Sequence, residues 1–280
     1  FKGPLLIWAR TVVWKIGRWK SRELKEFVDA FAPDLLFIPI YYSHYIHDIN
    51  FWIKNRCGIP AVGYISDDNY SLRKISFNPL FWIDRLIMRR RLRKVFAACD
   101  IVYTISENQK EYLRQRFGDK FKVLTKYAEF DKSNKPAGFR PHVPLRMLYT
   151  GNLGSGRYSS IGLIVKALRQ VNVHEQRIVF DIYTSTVLSE KLRSRLNTAE
   201  TTLHDAVSFE KVLELQRRAD ILVHVEGLSL KERLDVAHSF STKIVDYLQQ
   251  CKPIFVVGKD DCASIRYFTD NDSGIVAQNY

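Results

Sequence analysis

The residues Leu148-Tyr-Thr-Gly-Asn-Leu-Gly-Ser-Gly-Arg157 run from a strand pattern into a glycine-rich turn, and a helical pattern follows them. Strand, turn and helix in this order open a βαβ unit, the building block of a parallel sheet. Glycine in such a turn lets backbone N–H groups approach a phosphate, and the N-terminus of the next helix adds partial positive charge. Many such turns only pack a helix against a sheet, so a binding site needs a second element.

Strand and helix patterns alternate on both sides of this turn. Short apolar runs predict strands over residues 34–40, 61–65, 100–105, 121–125, 146–150, 177–183, 219–225, 253–257 and 274–278. Helical spacing or capping residues predict helices over residues 80–97, 106–117, 160–171, 188–197, 210–218, 241–250 and 263–269. The pattern predicts an α/β protein with parallel sheets.

The pattern also predicts two Rossmann-like lobes. Residues 131–145 carry three prolines and little apolar periodicity, which indicates a linker. We therefore expect an N-terminal lobe over residues 1–135 and a C-terminal lobe over residues 136–280. The first lobe lacks the strand and turn that usually open such a lobe, and the last strand has no helix after it. We expect both ends to be truncated.

Composition favours a folded, soluble protein. Hydrophobic residues make up 46% of the 280 residues and charged residues 26%. No window approaches the roughly 20 apolar residues that a spanning helix needs, and the first residues do not form a signal peptide. The four cysteines include no CxxC pair, which argues against a zinc site or a disulfide scaffold. These features predict a cytoplasmic protein.

The chain is strongly basic. It has 43 Lys and Arg against 30 Asp and Glu, a formal charge of +13, which favours a phosphate-rich partner such as a nucleotide, an anionic membrane or a nucleic acid. Residues 81–96 predict a basic amphipathic helix, typical of either membrane-surface contact or an ordinary solvated face. Nucleic acid is the unlikely partner, because no recognised binding motif accompanies the charge.

A second element with binding chemistry lies at residues 240–257. A helix that starts near Ser241 would present the hydroxyls and amides of Ser241 and Thr242 to a phosphate. Lys243 and Asp246 lie three residues apart and so on one helix face, where a carboxylate can accept both ribose hydroxyls while the lysine meets a phosphate. An exposed helical ion pair explains the same spacing.

These two elements together resemble the donor-binding lobe of family 4 retaining glycosyltransferases of the GT-B type. The resemblance rests on the order GNLG-x-GR, then RRADILVHV, then STKIVDYLQQCKPIFVVG, where many bacterial members have S-x-K-hydrophobic-x-E-Y-L. In the first lobe, DIVYTISENQKEYLRQRFG resembles the family's strand and helix with the S-E motif. The resemblance covers most of residues 30–278.

The resemblance implies a set of donor-binding residues. Glycines of the turn would lie near the donor phosphates, Arg157 would contact a phosphate, and Asp246 stands where the family has a ribose-binding glutamate. The full set of expected donor-binding residues is Gly151, Asn152, Gly154, Arg157, Ser241, Thr242, Lys243 and Asp246. Two positions depart from the family: His238 replaces an acid near the sugar, and the lysine that usually follows the turn is missing, for which Lys243 would compensate.

Candidate catalytic residues lie in the first lobe. Asp67 and Asp68 follow a predicted strand, at a sheet edge where open α/β proteins bind ligands. The family carries a His-Asp pair there, and this chain has Ser66-Asp67. One carboxylate could orient or deprotonate an acceptor hydroxyl, while a loop or capping role is an equal alternative.

His44, His47 and Asp48 have spacing that could suit a metal, but a surface or capping role is favoured, because enzymes of the GT-B class need no bound metal. We therefore expect neither a metal nor a cofactor. The resemblance implies a glycosyltransferase that moves a sugar from a nucleotide diphosphate sugar to a hydroxyl acceptor, with a lipid-linked acceptor as one option. The alternatives are a non-catalytic GT-B-like subunit and a nucleic-acid-binding protein.

Overall fold

The computed structural model describes residues 4–128 and 142–278; for residues 4, 5, 7 and 8 it describes the backbone alone. The chain divides into two compact units, Phe1–Thr125 and Lys126–Tyr280. Each unit is an α/β structure with its own parallel sheet, so the predicted fold class of two Rossmann-like lobes is confirmed. The part of the linker prediction over residues 131–141 lies outside the described residues.

The first unit has a sheet in which the strands follow chain order, β1-β2-β3-β4, and all neighbours pair in parallel. Its strands are β1 Leu36–Pro39, β2 Ala61–Ile65, β3 Ile101–Thr104 and β4 Phe121–Val123. Its helices are α1 Pro4–Ile16, α2 Arg22–Phe31, α3 His44–Cys57, α4 Pro79–Ala98 and α5 Glu107–Phe117. Parallel pairing with helical connections puts the carboxyl ends of all four strands at one edge.

An aromatic cluster holds the first unit together. The ring of Phe96, which is fully buried on α4, lies 5.0 Å from Phe117, 5.6 Å from Phe121 and 5.8 Å from Tyr70, measured between centroids. These separations fall within the range of favourable aromatic pairs. The cluster joins α4 to α5, to β4 and to the loop after β2.

The second unit has a six-stranded parallel sheet in the order β10-β9-β8-β5-β6-β7. Its strands are β5 Leu145–Thr150, β6 Ile178–Thr184, β7 Thr201–Asp205, β8 Ile221–Val225, β9 Ile254–Val257 and β10 Ile275–Ala277. Its helices are α6 Arg157–Val171, α7 Glu190–Leu196, α8 Phe209–Arg218, α9 Leu230–Val236, α10 Lys243–Gln249 and α11 Ala263–Asp270. Strand β5 pairs with β6 on one side and with β8 on the other, so the strand order reverses at β5. A crevice at such a switch point is the usual ligand site of an open α/β sheet.

Five elements lie outside the ranges predicted from sequence: α1, α2, α3, α9 and β7. The buried side chains of α3 are His44, His47 and Asn50, so its inner face carries no apolar period. β7, with sequence TTLHD, is a polar edge strand without alternation. Secondary structure is recognised in a sequence by the periodic spacing of apolar residues, and these two elements lack such spacing.

The ends of several helices also differ from prediction. The helix predicted over 160–171 begins at Arg157, and the helix predicted over 241–250 begins at Lys243. Ser106 caps α5, because its hydroxyl accepts a hydrogen bond from the Gln109 amide at 3.2 Å. In the described part of the chain, no helix is both long and apolar enough to cross a membrane.

We expect the substitution Phe96→Ala to lower the free energy of unfolding by about 3–5 kcal/mol, because it leaves a cavity at the centre of the aromatic cluster. Phe77→Ala is the matched control, since that ring is fully exposed and its removal leaves no cavity. Urea unfolding followed by circular dichroism measures both variants. Equal unfolding curves for the two would show that the cluster does not hold this unit together.

Candidate functional site

The candidate site lies where β5 and β8 end side by side. Gly151 follows β5 with φ +146°, a conformation that side chains rarely adopt. A Cβ atom at Gly151 would lie 2.6 Å from the Nζ atom of Lys243. Glycine at this position therefore lets the Lys243 ammonium reach the turn from the first residue of α10.

Lys243 carries an enclosed ammonium group. Its Nζ donates a hydrogen bond to the Thr150 carbonyl at 3.0 Å and lies 4.4 Å from the centroid of the Tyr149 ring. Burial, followed by repulsion from Arg157, lowers the pKa of Lys243 to about 8, while Glu226 acts in the opposite direction. The residue as a whole is half-buried. A cation is thus held in a poorly solvated position, and no carboxylate of residues 4–128 or 142–278 forms a direct ion pair with it.

Arg157 and Glu226 form a part-buried ion pair that acts electrostatically on this lysine. The Nε and Nη2 atoms of Arg157 lie 3.0 Å and 2.8 Å from the same oxygen, Oε2 of Glu226. Burial raises the pKa of Glu226, and attraction to Arg157 opposes that shift. The Ser160 hydroxyl on α6 donates to the Glu226 carbonyl at 2.5 Å. Side chain and backbone of Glu226 therefore both tie the start of α6 to the end of β8.

His224 completes the cluster from β8. Its side chain is almost fully buried, and neither ring nitrogen has a hydrogen-bond partner within the described residues. Its Nε2 atom lies 3.6 Å from Oε1 of Glu226, too far for a hydrogen bond. Burial, with repulsion from Lys243 and Arg157, holds the pKa of His224 well below its usual value. The histidine is therefore neutral, and the cluster combines two cations with one carboxylate.

The glycine-rich turn is shaped by its own side chains. The Oδ1 atom of Asn152 accepts the Gly154 amide at 2.5 Å, and the Asn152 carbonyl accepts the Tyr149 hydroxyl at 2.7 Å. Gly156 has φ +78°, and a Cβ atom there would lie 2.0 Å from the carboxyl carbon of Glu232 on α9. Asn152 thus organises the turn, and α9 packs directly on it.

The predicted residues of α10 point in different directions. Asp246 forms an ion pair with Lys126, whereas Lys243 faces the turn. The amide of Ser241 donates to the Ser264 hydroxyl at 3.0 Å, and Thr242 is exposed. The structure brings Gly151, Arg157 and Lys243 together, while the Asp246 carboxylate pairs with Lys126 instead of with this cluster.

The two acids predicted in the first unit differ in environment. Asp68 is buried; its carboxylate accepts the amide of Ser71 at 2.8 Å and pairs with Arg85, with Nη2 to Oδ1 at 3.5 Å. Arg85 also donates to the Asp68 carbonyl at 2.8 Å and to the Ser71 carbonyl at 2.9 Å. Asp67 is exposed. Asp68 therefore organises the loop after β2, while the carboxylate of Asp67 faces solvent.

The histidines of α3 have separate partners. His44 Nε2 lies 3.0 Å from Asp84 Oδ1, His47 Nε2 lies 3.0 Å from the Tyr41 carbonyl, and Asp48 pairs with Arg91. Burial lowers the pKa of His47 to about 4. In residues 4–128 and 142–278, no group of three His, Cys, Asp or Glu side chains is placed to hold a metal.

Glu226 follows a predicted strand at the ligand-binding edge and is only a second-rank candidate from sequence, and no sequence pattern singles out His224 or Tyr149. One signal was available: an apolar strand that carries His224 in its interior and ends at Glu226 places two polar side chains in a core, where polar residues are costly. The pairing of Glu226 with Arg157, 69 positions apart, has no signature in a single sequence.

We expect Lys243→Met to stabilise the protein, because the folded state below pH 8 keeps an ammonium that burial disfavours. The free energy of unfolding should rise by about 2 kcal/mol at neutral pH. The difference from wild type should shrink as pH rises through about 8, where folded Lys243 loses its proton. Exposed Lys191→Met is the control, and thermal melts against pH give the measurement. A lower melting temperature at neutral pH would show that the ammonium stabilises the fold.

Comparison with known proteins gives structural neighbours only. No protein-family model matches the chain, and no curated protein matches it in sequence. One similar solved structure is the GtfA/B complex, with a TM-score of 0.61 and 14% identity over 92% of this chain and 49% of that chain.

Two further neighbours have a TM-score of 0.55. The pneumococcal O-GlcNAc transferase GtfA, in complex with UDP and GlcNAc, is 12% identical over 84% of this chain and 44% of its own. The α,α-trehalose 6-phosphate synthase of Burkholderia multivorans is 8% identical over 91% of this chain and 61% of its own. The chain therefore spans less than two thirds of each of these neighbours. Their shared architecture shows that this chain has the GT-B fold.

Proposed function

We propose that the protein is a glycosyltransferase that moves a sugar from a nucleoside diphosphate sugar to a hydroxyl acceptor, with retention at the anomeric carbon as in family 4. The observation that carries the proposal is the convergence of Arg157 and Lys243 on the glycine turn between β5 and β8. Two cations and the N-terminus of α6 at one switch point match the charge of a diphosphate. The GT-B fold supports the same function.

The chemistry of the proposal is stabilisation of the departing diphosphate. As the bond from sugar to phosphate breaks, negative charge grows on the phosphate oxygens. Arg157 and Lys243 lie in a poorly solvated crevice, where such charge is stabilised more strongly than in water. These side chains supply the positive charge, so the proposed mechanism includes no metal and no further cofactor.

Asp246 is the proposed ribose ligand. The neighbour that was crystallised with UDP and GlcNAc favours a nucleotide donor for this fold. The Asp246 carboxylate is 13% exposed and is paired with Lys126, whose Nζ also lies 5.8 Å from the Phe209 ring. Ribose hydroxyls would therefore replace Lys126 at this carboxylate or bind beside it.

Asp67 and Asp68 remain the proposed catalytic residues of the acceptor side. The exposed carboxylate of Asp67 can orient or deprotonate an acceptor hydroxyl, and Asp68 supports the same loop through Arg85. Family members often have a histidine where this chain has Ser66. A non-catalytic subunit that only binds nucleotide is the alternative, and a turnover assay separates the two.

We also propose that the first unit contacts an anionic membrane surface, on the cytoplasmic side, where a lipid-linked acceptor for polysaccharide or glycoconjugate synthesis would be presented. One face of α4 and the loop before it expose apolar side chains, which are Phe77, Leu80, Ile83, Leu86 and Ile87. The next turns of the same helix expose Arg90, Arg93 and Lys94. Apolar and basic groups in this arrangement are typical of helices that lie in a membrane interface.

We expect one of the nucleotides UDP, GDP, ADP and CMP to raise the melting temperature of the wild-type protein, because a ligand that binds only the folded state stabilises it. Asp246→Ala should need about tenfold more nucleotide for the same rise in melting temperature, because the variant loses charged hydrogen bonds to ribose. Asp270→Ala, exposed at the end of α11, is the matched control. No shift with any nucleotide would contradict the donor site.

We expect the protein to bind vesicles of anionic lipid at low salt and to ignore neutral vesicles. Replacing Arg90, Arg93 and Lys94 by Glu should weaken binding by at least about 100-fold, since each basic residue contributes about 1 kcal/mol at such a surface. A charge-matched control replaces exposed basic residues of the second unit, Arg169, Lys191 and Arg195, by Glu. Co-sedimentation measures both, and equal losses in the two triple variants would refute a specific surface on α4.

A further inference from the structure

Glu226 places a carboxylate in the site that we propose for the donor diphosphate, although both groups are negatively charged. Its side chain is 3% exposed and pairs with Arg157, one of the two proposed phosphate ligands, and its charge acts on the other, Lys243. A carboxylate there repels an incoming phosphate and costs free energy to bury. The fold could place an apolar residue at the end of β8 at lower cost. We therefore expect the carboxylate to have a role that depends on both its charge and its position.

We infer that Glu226 is a positioning residue for the donor diphosphate: it fixes the guanidinium of Arg157 and serves as the internal counter-anion of Lys243. The inference rests on the proposed function and adds to it a residue whose effect passes through two others.

The first part of the role is geometric. Two nitrogens of Arg157, Nε and Nη2, bind the same Glu226 oxygen, which fixes the plane of the guanidinium. Nη1 then has no hydrogen bond to the described part of the chain and is available to a ligand. The bond from the Ser160 hydroxyl to the Glu226 carbonyl fixes the backbone of the same residue against α6. Arg157 therefore presents its guanidinium to a phosphate in one orientation. Binding avoids the entropy cost of ordering a mobile arginine side chain.

The second part is electrostatic. Arg157 and Lys243 repel each other, and this repulsion favours the neutral form of Lys243, while Glu226 favours its charged form. Four buried groups around the cluster are uncharged near neutral pH: burial raises the pKa of Tyr149, of Tyr247 and of Cys262, and lowers that of His224.

Asp246 on the same helix is neutralised by Lys126. Cys262, at the N-terminus of α11, has a pKa of about 12 and stays protonated. Glu226 is therefore the group that keeps Lys243 protonated when no ligand is bound, and the site stays positive before the donor arrives.

The test compares Glu226→Gln, which removes the charge at constant shape, with Glu226→Asp, which keeps the charge but withdraws it by one methylene. Glu210→Gln, an exposed acid on α8, is the matched control. The probe is whichever of UDP, GDP and ADP stabilises the wild-type protein most. Calorimetric titration gives its affinity for each variant between about pH 6 and about pH 10, a range centred on the pKa of about 8 of folded Lys243.

Wild-type affinity should fall as pH rises through about 8, because Lys243 loses its charge there. In Glu226→Gln the fall should begin about one pH unit lower, and the affinity at neutral pH should be about tenfold weaker. In Glu226→Asp the affinity should drop through loss of the two-nitrogen contact, but the fall should stay near pH 8. A purely structural role would lower the melting temperature without moving the pH profile.

Unchanged affinity and pH profile in Glu226→Gln would overturn the inference while leaving the proposed function intact. Absence of nucleotide binding by the wild-type protein would overturn both. If Glu226→Gln does not fold, Glu226→Asp decides the matter: wild-type affinity in that variant would overturn the positioning role, and weaker affinity with an unmoved profile would support it.

Discussion

The pairing of β5 with β8 is the constraint on which the site depends. Met147 lies opposite Ile221 and Leu148 opposite Leu222, although the two residues of each pair are 74 positions apart in sequence. This register ends the two strands at the same level, so the glycine turn after one faces Glu226 after the other. Because the chain leaves β5 toward β6 and returns through β8 on the opposite side, no helical connection fills the space between the two strand ends. The crevice follows from chain topology, and the ionisable side chains occupy it.

Much of the architecture could be predicted from the sequence because it depends on local patterns. The apolar run Ala61–Ile65 was predicted as a strand and is one, with the same bounds. The glycine turn and the helix after it were also predicted. The missed elements lack such patterns, since α3 buries polar side chains and β7 is a polar edge strand.

The site was predictable only where neighbours in sequence are neighbours in space. The resemblance to GT-B glycosyltransferases identified Arg157 and Lys243 as candidate phosphate ligands, and the structure places both at one turn. It could not show that Asp246 faces Lys126 or that Glu226 holds Arg157, because those contacts join residues 120 and 69 positions apart. Neither could spacing alone separate Asp67 from Asp68, which differ in burial although they are adjacent in sequence. Ion pairs between distant residues depend on tertiary packing, and a periodic pattern in the sequence carries no information about such contacts.

The close approach of Gly156 and Glu232 predicts that these two distant positions change together among homologues. Glu232 accepts the Ser229 amide at 3.0 Å and so closes the capping box of α9, while its carboxylate lies where any side chain at position 156 would be. A residue other than glycine at 156 would displace that carboxylate and uncap α9. Descendants of this chain should therefore keep the two residues or lose them together, and co-inheritance of the pair would mark homologues in which α9 still packs on the turn.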